Sequence, residues 1–172
     1  MNYAIYNVDT GIINRTIRCG PQDIEIQCGD GEAWIEADQV DDSVHQVIDG
    51  QIVDRVFSMS ELKAEKWAQV KALRDQRVDG GHMGFDTDLV SRTNLMGASL
   101  GAVLNPSITI PWKMADNSVV MLTAEEIKTA AEAILAFVTA CHEHSQTLGA
   151  AIEAADDQAA LDAITITDGW PA

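Results

Sequence analysis

At Ser58 the pattern of apolar residues changes period, and a chain that does this must build two kinds of structure. Before it, apolar and polar residues alternate in short runs separated by turn-forming residues, the mark of half-buried strands. After it, apolar residues recur at near-helical spacing behind a capping box, Ser58-x-x-Glu61. In such a box the serine oxygen and the glutamate satisfy backbone N–H groups that the first turn of a helix leaves unpaired. The switch predicts an α+β chain: a small antiparallel β-rich module over residues 1–57, then a helical module with an inserted β-hairpin over residues 58–172.

Within the first module, Tyr3–Val8 reads as a strand, turned by Asp9-Thr10-Gly11 into Ile12–Arg18. Gly20-Pro21 breaks the chain. Ile24 and Ile26 then alternate with Asp23, Glu25 and Gln27, which predicts another half-buried strand. Ala33–Ala37, around Trp34, follows the turn at Cys28-Gly29-Asp30-Gly31. Val44–Ile48 and Ile52–Val56 flank Asp49-Gly50, a dipeptide that tolerates positive φ and suits a tight hairpin turn.

Beyond Ser58, Leu62, Trp67, Val70 and Leu73 mark a helix that Asp79-Gly80-Gly81 stops. The next stretch, Gly80-Gly81-His82-Met83-Gly84, reads as a flexible turn. The cluster Asp86-Thr87-Asp88 caps a second helix running to about Leu104, with Leu89, Thr93, Met96, Leu100 and Val103 on the face expected to be buried. Asp88 and Arg92 are spaced to pair along its surface. Gly97 and Gly101 each forfeit about 1 kcal/mol of helix propensity, so a neighbouring element is expected to approach closely there, and leucine at either position is expected to overpack. Asn105-Pro106 ends the helix. Ile108–Lys113 and Val119–Leu122 alternate as a hairpin around Met114–Ser118. A second capping box, Thr123-x-x-Glu126, opens a long helix to about Leu148, with Ile127, Ala131, Ile134, Leu135, Val138 and Cys141 on one face. After Gly149 a short helical piece capped by Asp156 or Asp157 carries Leu161 and Ile164, and the tail ends in Asp168-Gly169-Trp170-Pro171-Ala172.

Composition narrows the function classes. With 27 acidic and 11 basic residues the chain carries a net charge of −16, and such a surface repels phosphate backbones. No nucleic acid is expected as a partner. No apolar run approaches the ~20 residues that span a bilayer, and Met1–Gly11 lacks the basic flank and apolar stretch of a signal peptide, so synthesis in a cytoplasm and no membrane are expected. Cys19, Cys28 and Cys141 form no CxxC pair. The Cys19–Cys28 spacing admits a bridge between adjacent strands, but in a protein made in a cytoplasm two reduced, half-buried thiols are expected. His142 and His144 sit two apart on a helix and cannot share a metal. Asp86-x-Asp88 lacks the further oxygens of a calcium loop, and no GxSxG elbow, GxxxxGK[ST] or GxGxxG occurs. No catalytic residue, cofactor site or metal site is expected.

The four tryptophans each lie in a different element. Trp67 is on an amphipathic face. Trp34, Trp112 beside Met114 on the hairpin, and Trp170 at the tail are the candidates for partner binding, with core packing open for each.

Taken in order, KWAQVKALRDQR, FDTDLVSRTNL with GASLGA, IPWKMADNSVVMLT, the alanine-rich helix and the final DGWP resemble a domain of unknown function in tailed-bacteriophage proteins, encoded beside tail-fibre genes. They cover about the last 105 residues. The first 55 resemble, less specifically, small β modules found ahead of that domain. The resemblance implies a non-enzymatic virion protein, made in the host cytoplasm and carried in the tail. Such a component of the tail or baseplate would attach or decorate a tail fibre through protein–protein contacts. A tail-fibre assembly chaperone is the alternative. Its partners would be other tail, baseplate or fibre proteins, and a homo-oligomer is compatible with either role.

Overall fold

A computed structural model describes residues 1–172 and shows an α+β chain, with antiparallel strands in its first part and helices in its second. It divides into two compact units, Met1–Phe57 and Ser58–Ala172.

In the first unit, β1 (Asn2–Asn7) lies between β2 (Ile13–Arg18) and β3 (Glu32–Glu36) in an antiparallel sheet of order β2-β1-β3. Being central, β1 buries consecutive residues to opposite sides. Tyr3 and Ile5 pack with Ile24, while Ala4 packs with Ile13, Ala37 and Val47. The order of strands has a consequence for the connection from β2 to β3, which must cross over β1. The strand expected over Asp23–Gln27 does not form in it. Glu25–Gln27 is a turn of 3-10 helix, with Ile24 pressed onto Tyr3 and Ile5 and Ile26 turned out, 79% exposed. A second pair of strands, β4 (His45–Ile48) and β5 (Gln51–Asp54), turns at Asp49-Gly50 with both residues at positive φ, as that dipeptide predicts. Gly11 joins the two hairpins: its φ is +71°, and a Cβ there would stand 2.1 Å from the Val47 carbonyl oxygen. No other residue fits that close approach.

The second unit is organised along α3 (Ala124–Ala154), against which α1 (Met59–Asp79) and α2 (Leu89–Leu104) both pack. Both capping boxes form: Ser58 with Glu61 at the start of α1, and Thr123 with Glu126 at the start of α3. The hairpin β6 (Thr109–Lys113) and β7 (Val119–Thr123) feeds directly into α3. One apolar cluster joins Phe85, Leu95, Ala102, Ala124, Ile127, Ala130 and Ile134. Another joins Val70 of α1 to Leu148, Ile152, Ala155 and Leu161, the last on the short α4 (Gln158–Asp162), whose N-cap is Asp157.

Two helical expectations change. The long helix does not stop at Leu148 but runs through Gly149 to Ala154. Gly149 is internal because the Trp67 ring lies on its backbone, where a Cβ would come within 2.9 Å of Cζ3. The glycine-rich 80–84 stretch is a turn, as expected, and it carries its own contacts. The Gly81 N–H donates to the Thr87 hydroxyl oxygen at 2.8 Å, His82 and Phe85 exchange backbone hydrogen bonds, and the His82 ring stacks on Phe137 at 4.3 Å. The Asp88 carboxylate caps α2 by accepting from the N–H groups of Val90 and Ser91, while Arg92 reaches Asp79 at 3.7 Å instead.

Candidate functional site

The second helix has its apolar stripe on the outside. Leu89, Val90, Met96, Leu100, Val103 and Leu104 are each more than 60% exposed. The side turned to α3 carries Leu95 and Ala102, with Ala98 half-buried between them. The stripe Leu89, Thr93, Met96, Leu100 and Val103, expected in the core, is therefore the open face. Its sequence explains the reversal: α2 carries apolar residues on two sides, so two stripes compete, and the one with alanines allows α3 to come close. The overpacking expected at Gly97 and Gly101 also does not hold within the chain, since a Cβ at either meets nothing within 4 Å.

Beside this face runs a groove of about 440 Å³ between α2 and α3, with Met96, Leu135 and Val138 among its apolar walls. Arg92 and Glu132 flank it. The Arg92 guanidinium keeps its buried Nη1 without an acceptor. The Asp88 carboxyl at the head of α2 is held below its usual range, chiefly by the Ser91 hydroxyl and N–H that it accepts from. It is charged and fully engaged in capping.

The tryptophans divide unequally. Trp112 and Met114 are half-buried against the Phe85–Ile127 cluster, with the Trp112 ring 6.3 Å from Phe85 and the Met114 methyl close to Gly84. Trp170 packs between two clusters, donates its Nε1–H to the Ile166 carbonyl at 2.8 Å, and meets the His144 ring edge-on at 4.7 Å. These three contribute to the core of the second unit, because hairpin and tail each fold back onto α3 or its neighbours. Trp34 differs: it is 41% exposed on β3, its ring edge-on to Tyr3 at 5.3 Å. It is the one candidate anchor left substantially open. The sequence signal for the larger surface, the five-residue stripe on α2, was visible but was assigned to the wrong side.

The ionisable groups are dispersed. No cluster of three histidine, cysteine, aspartate or glutamate side chains is assembled that could hold a metal ion. Cys19 and Cys28 are unbridged beside Ile24, and Cys141 is buried in α3. Burial pushes the Cys28 and Cys141 thiols up. No helix is long and apolar enough to cross a membrane.

Residues 61–165 match the family model described as Domain of unknown function (DUF4376). The chain belongs to this family. The DUF4376 region takes in α1, α2, the hairpin, α3 and α4, and so contains the open α2 face, while Trp34 and the first unit lie ahead of it. No curated protein and no solved structure matches the chain.

Proposed function

We propose that this DUF4376 protein is a non-enzymatic component of a bacteriophage virion, a tail or baseplate protein that attaches or decorates a tail fibre through protein–protein contacts. The observation that carries the reading is the surface. Apolar side chains gather on α2 and beside the groove, where solvation alone gives no reason for them, and contiguous apolar patches of this kind mark association sites. The phage setting rests on the order of sequence elements from Trp67 to Trp170 and their resemblance to the tail-fibre-associated domain. Trp34, open on the first unit, is the anchor we assign to the fibre or baseplate partner. The role of assembly chaperone uses the same surfaces and differs in whether the protein stays bound.

Two measurements decide. Affinity capture of the tagged protein from phage-producing cells should recover a fibre or baseplate protein, and Trp34→Ala should weaken that recovery while leaving the fold intact. Mass spectrometry of purified particles should find the chain in stoichiometric amount. Its presence in lysate alone would assign the chaperone role, and capture of no tail protein would refute both.

A further inference from the structure

We infer that the open face of α2 is the interface of a homodimer, covered in solution by the same face of a second copy. The inference rests on the reading that this chain works through protein contacts, and not on the phage setting.

The first argument is area. The six exposed side chains of α2 together present on the order of 800 Å² of apolar surface, which is one partner's share of a standard stable interface. That is more than a typical monomer leaves in one patch. The second is charge. From Leu89 to Ala115 there is no aspartate or glutamate, in a chain that has 27 of them. Over much of the remaining surface two copies would bring carboxylates together. Here they bring none. With Arg92 the one charged side chain on α2, the face also offers little to select an oppositely charged partner, whereas interfaces between identical subunits are the more apolar kind.

The third argument is shape. Leu89, Met96, Leu100 and Val103 form a ridge along the helix, and Gly97 and Gly101 form a furrow beside it, open on the outside. A two-fold axis near Leu100 sets each ridge into the other copy's furrow, and a face that pairs with itself closes at two subunits. The helix propensity given up at Gly97 and Gly101, which nothing inside one chain repays, is then explained by the close approach of the second helix.

The test is the mass of the full chain in solution, by light scattering after size exclusion and by sedimentation velocity over a wide concentration range. The wild type should run at twice the chain mass. Leu100→Glu, which sets two carboxylates against each other on the axis, should run as a folded monomer. Ile26→Glu, at an exposed apolar position of the first unit, should remain dimeric. A wild type that is monomeric throughout overturns the inference and leaves the face to a different protein. A dimer that Leu100→Glu leaves intact overturns it also. Should Leu100→Glu fail to fold, Leu100→Cys decides. Under mild oxidation it should form a reducible dimer that the wild type, with Cys19, Cys28 and Cys141, does not form, and absence of that product overturns the interface.

Discussion

Replacing Gly149 with alanine would place a methyl group where α1 and α3 cross, and its effect can be worked out from the geometry. The added Cβ stands 2.9 Å from Cζ3, 3.2 Å from Cη2 and 3.4 Å from Cε3 of Trp67. Carbon atoms in good contact sit about 3.5–4.0 Å apart, so the indole must retreat by about half an ångström or more. Because the ring is a rigid plane, that shift moves all of it relative to Val70, Leu148 and Ile152. Overpacking of this kind costs about 1–3 kcal/mol. Alanine at a helix-internal glycine contributes about 0.8–1 kcal/mol in the other direction. The two effects leave a net loss between about 0 and 2 kcal/mol, and because one side of the ring borders an open groove of about 660 Å³, which lets it yield short of the upper end, about 1 kcal/mol is expected. In a unit of this size that lowers Tm by roughly 4 °C. The decisive assay is a double-mutant cycle with Trp67→Leu, read by thermal and urea denaturation. Trp67→Leu will itself destabilise through lost burial. In that background the Cβ has room, and Gly149→Ala should change sign and stabilise by about 1 kcal/mol. If Gly149→Ala raises Tm in the wild-type background, or lowers it equally in both, the close-approach reasoning is wrong.

Other consequences are separate. The Glu32 carboxyl is held at about 2, first by the Arg15 guanidinium, then by the Gly29 N–H and the Asn14 amide. A depressed carboxyl stabilises the fold above its unfolded value and loses that contribution as pH falls. Trp34 fluorescence should therefore report weakening of the first unit between about pH 4.5 and 2, and Glu32→Gln should flatten that dependence. Thr123→Ala removes a hydroxyl that accepts from the Glu126 N–H at 3.3 Å and should lower the stability of the second unit by about 1 kcal/mol in urea melts. Trp112→Ala should cost about 2–3 kcal/mol, because the ring is half-buried beside Phe85, and an unchanged urea midpoint would contradict its place in the core. Under native conditions a thiol reagent should modify Cys19 and Cys28 before the fully buried Cys141, which should react only as the second unit opens, as followed by mass spectrometry of peptides.

Features whose partners lie within a few residues along the chain could be read directly. The boxes at Ser58–Glu61 and Thr123–Glu126, the Asp88 cap, and the Asp49-Gly50 turn all form as expected, because each is a local hydrogen-bonding or backbone problem with a local solution. Alternation and helical period likewise gave the α+β class, since a strand or helix exposes its period whatever it packs against. Which side of an element turns inward was a different matter. On α2 the larger apolar stripe faces out and the alanine-lined one faces α3, a choice set by how near two helices can come and invisible to a count of apolar residues. The glycines show the same limit. Gly149 carries a crowded crossing with Trp67 where a helix end was expected, while Gly97 and Gly101, expected at a crossing, stand open. The strand expected over Asp23–Gln27 is instead a turn of 3-10 helix in the segment that crosses over β1, with Ile24 packed on Tyr3 and Ile5. Trp112 and Trp170 were drawn into clusters by a hairpin and a tail folding back over long sequence separations. Period, cap and turn are properties of neighbouring residues; facing, close approach and burial depend on residues distant in the chain, and only the assembled tertiary structure brings those together.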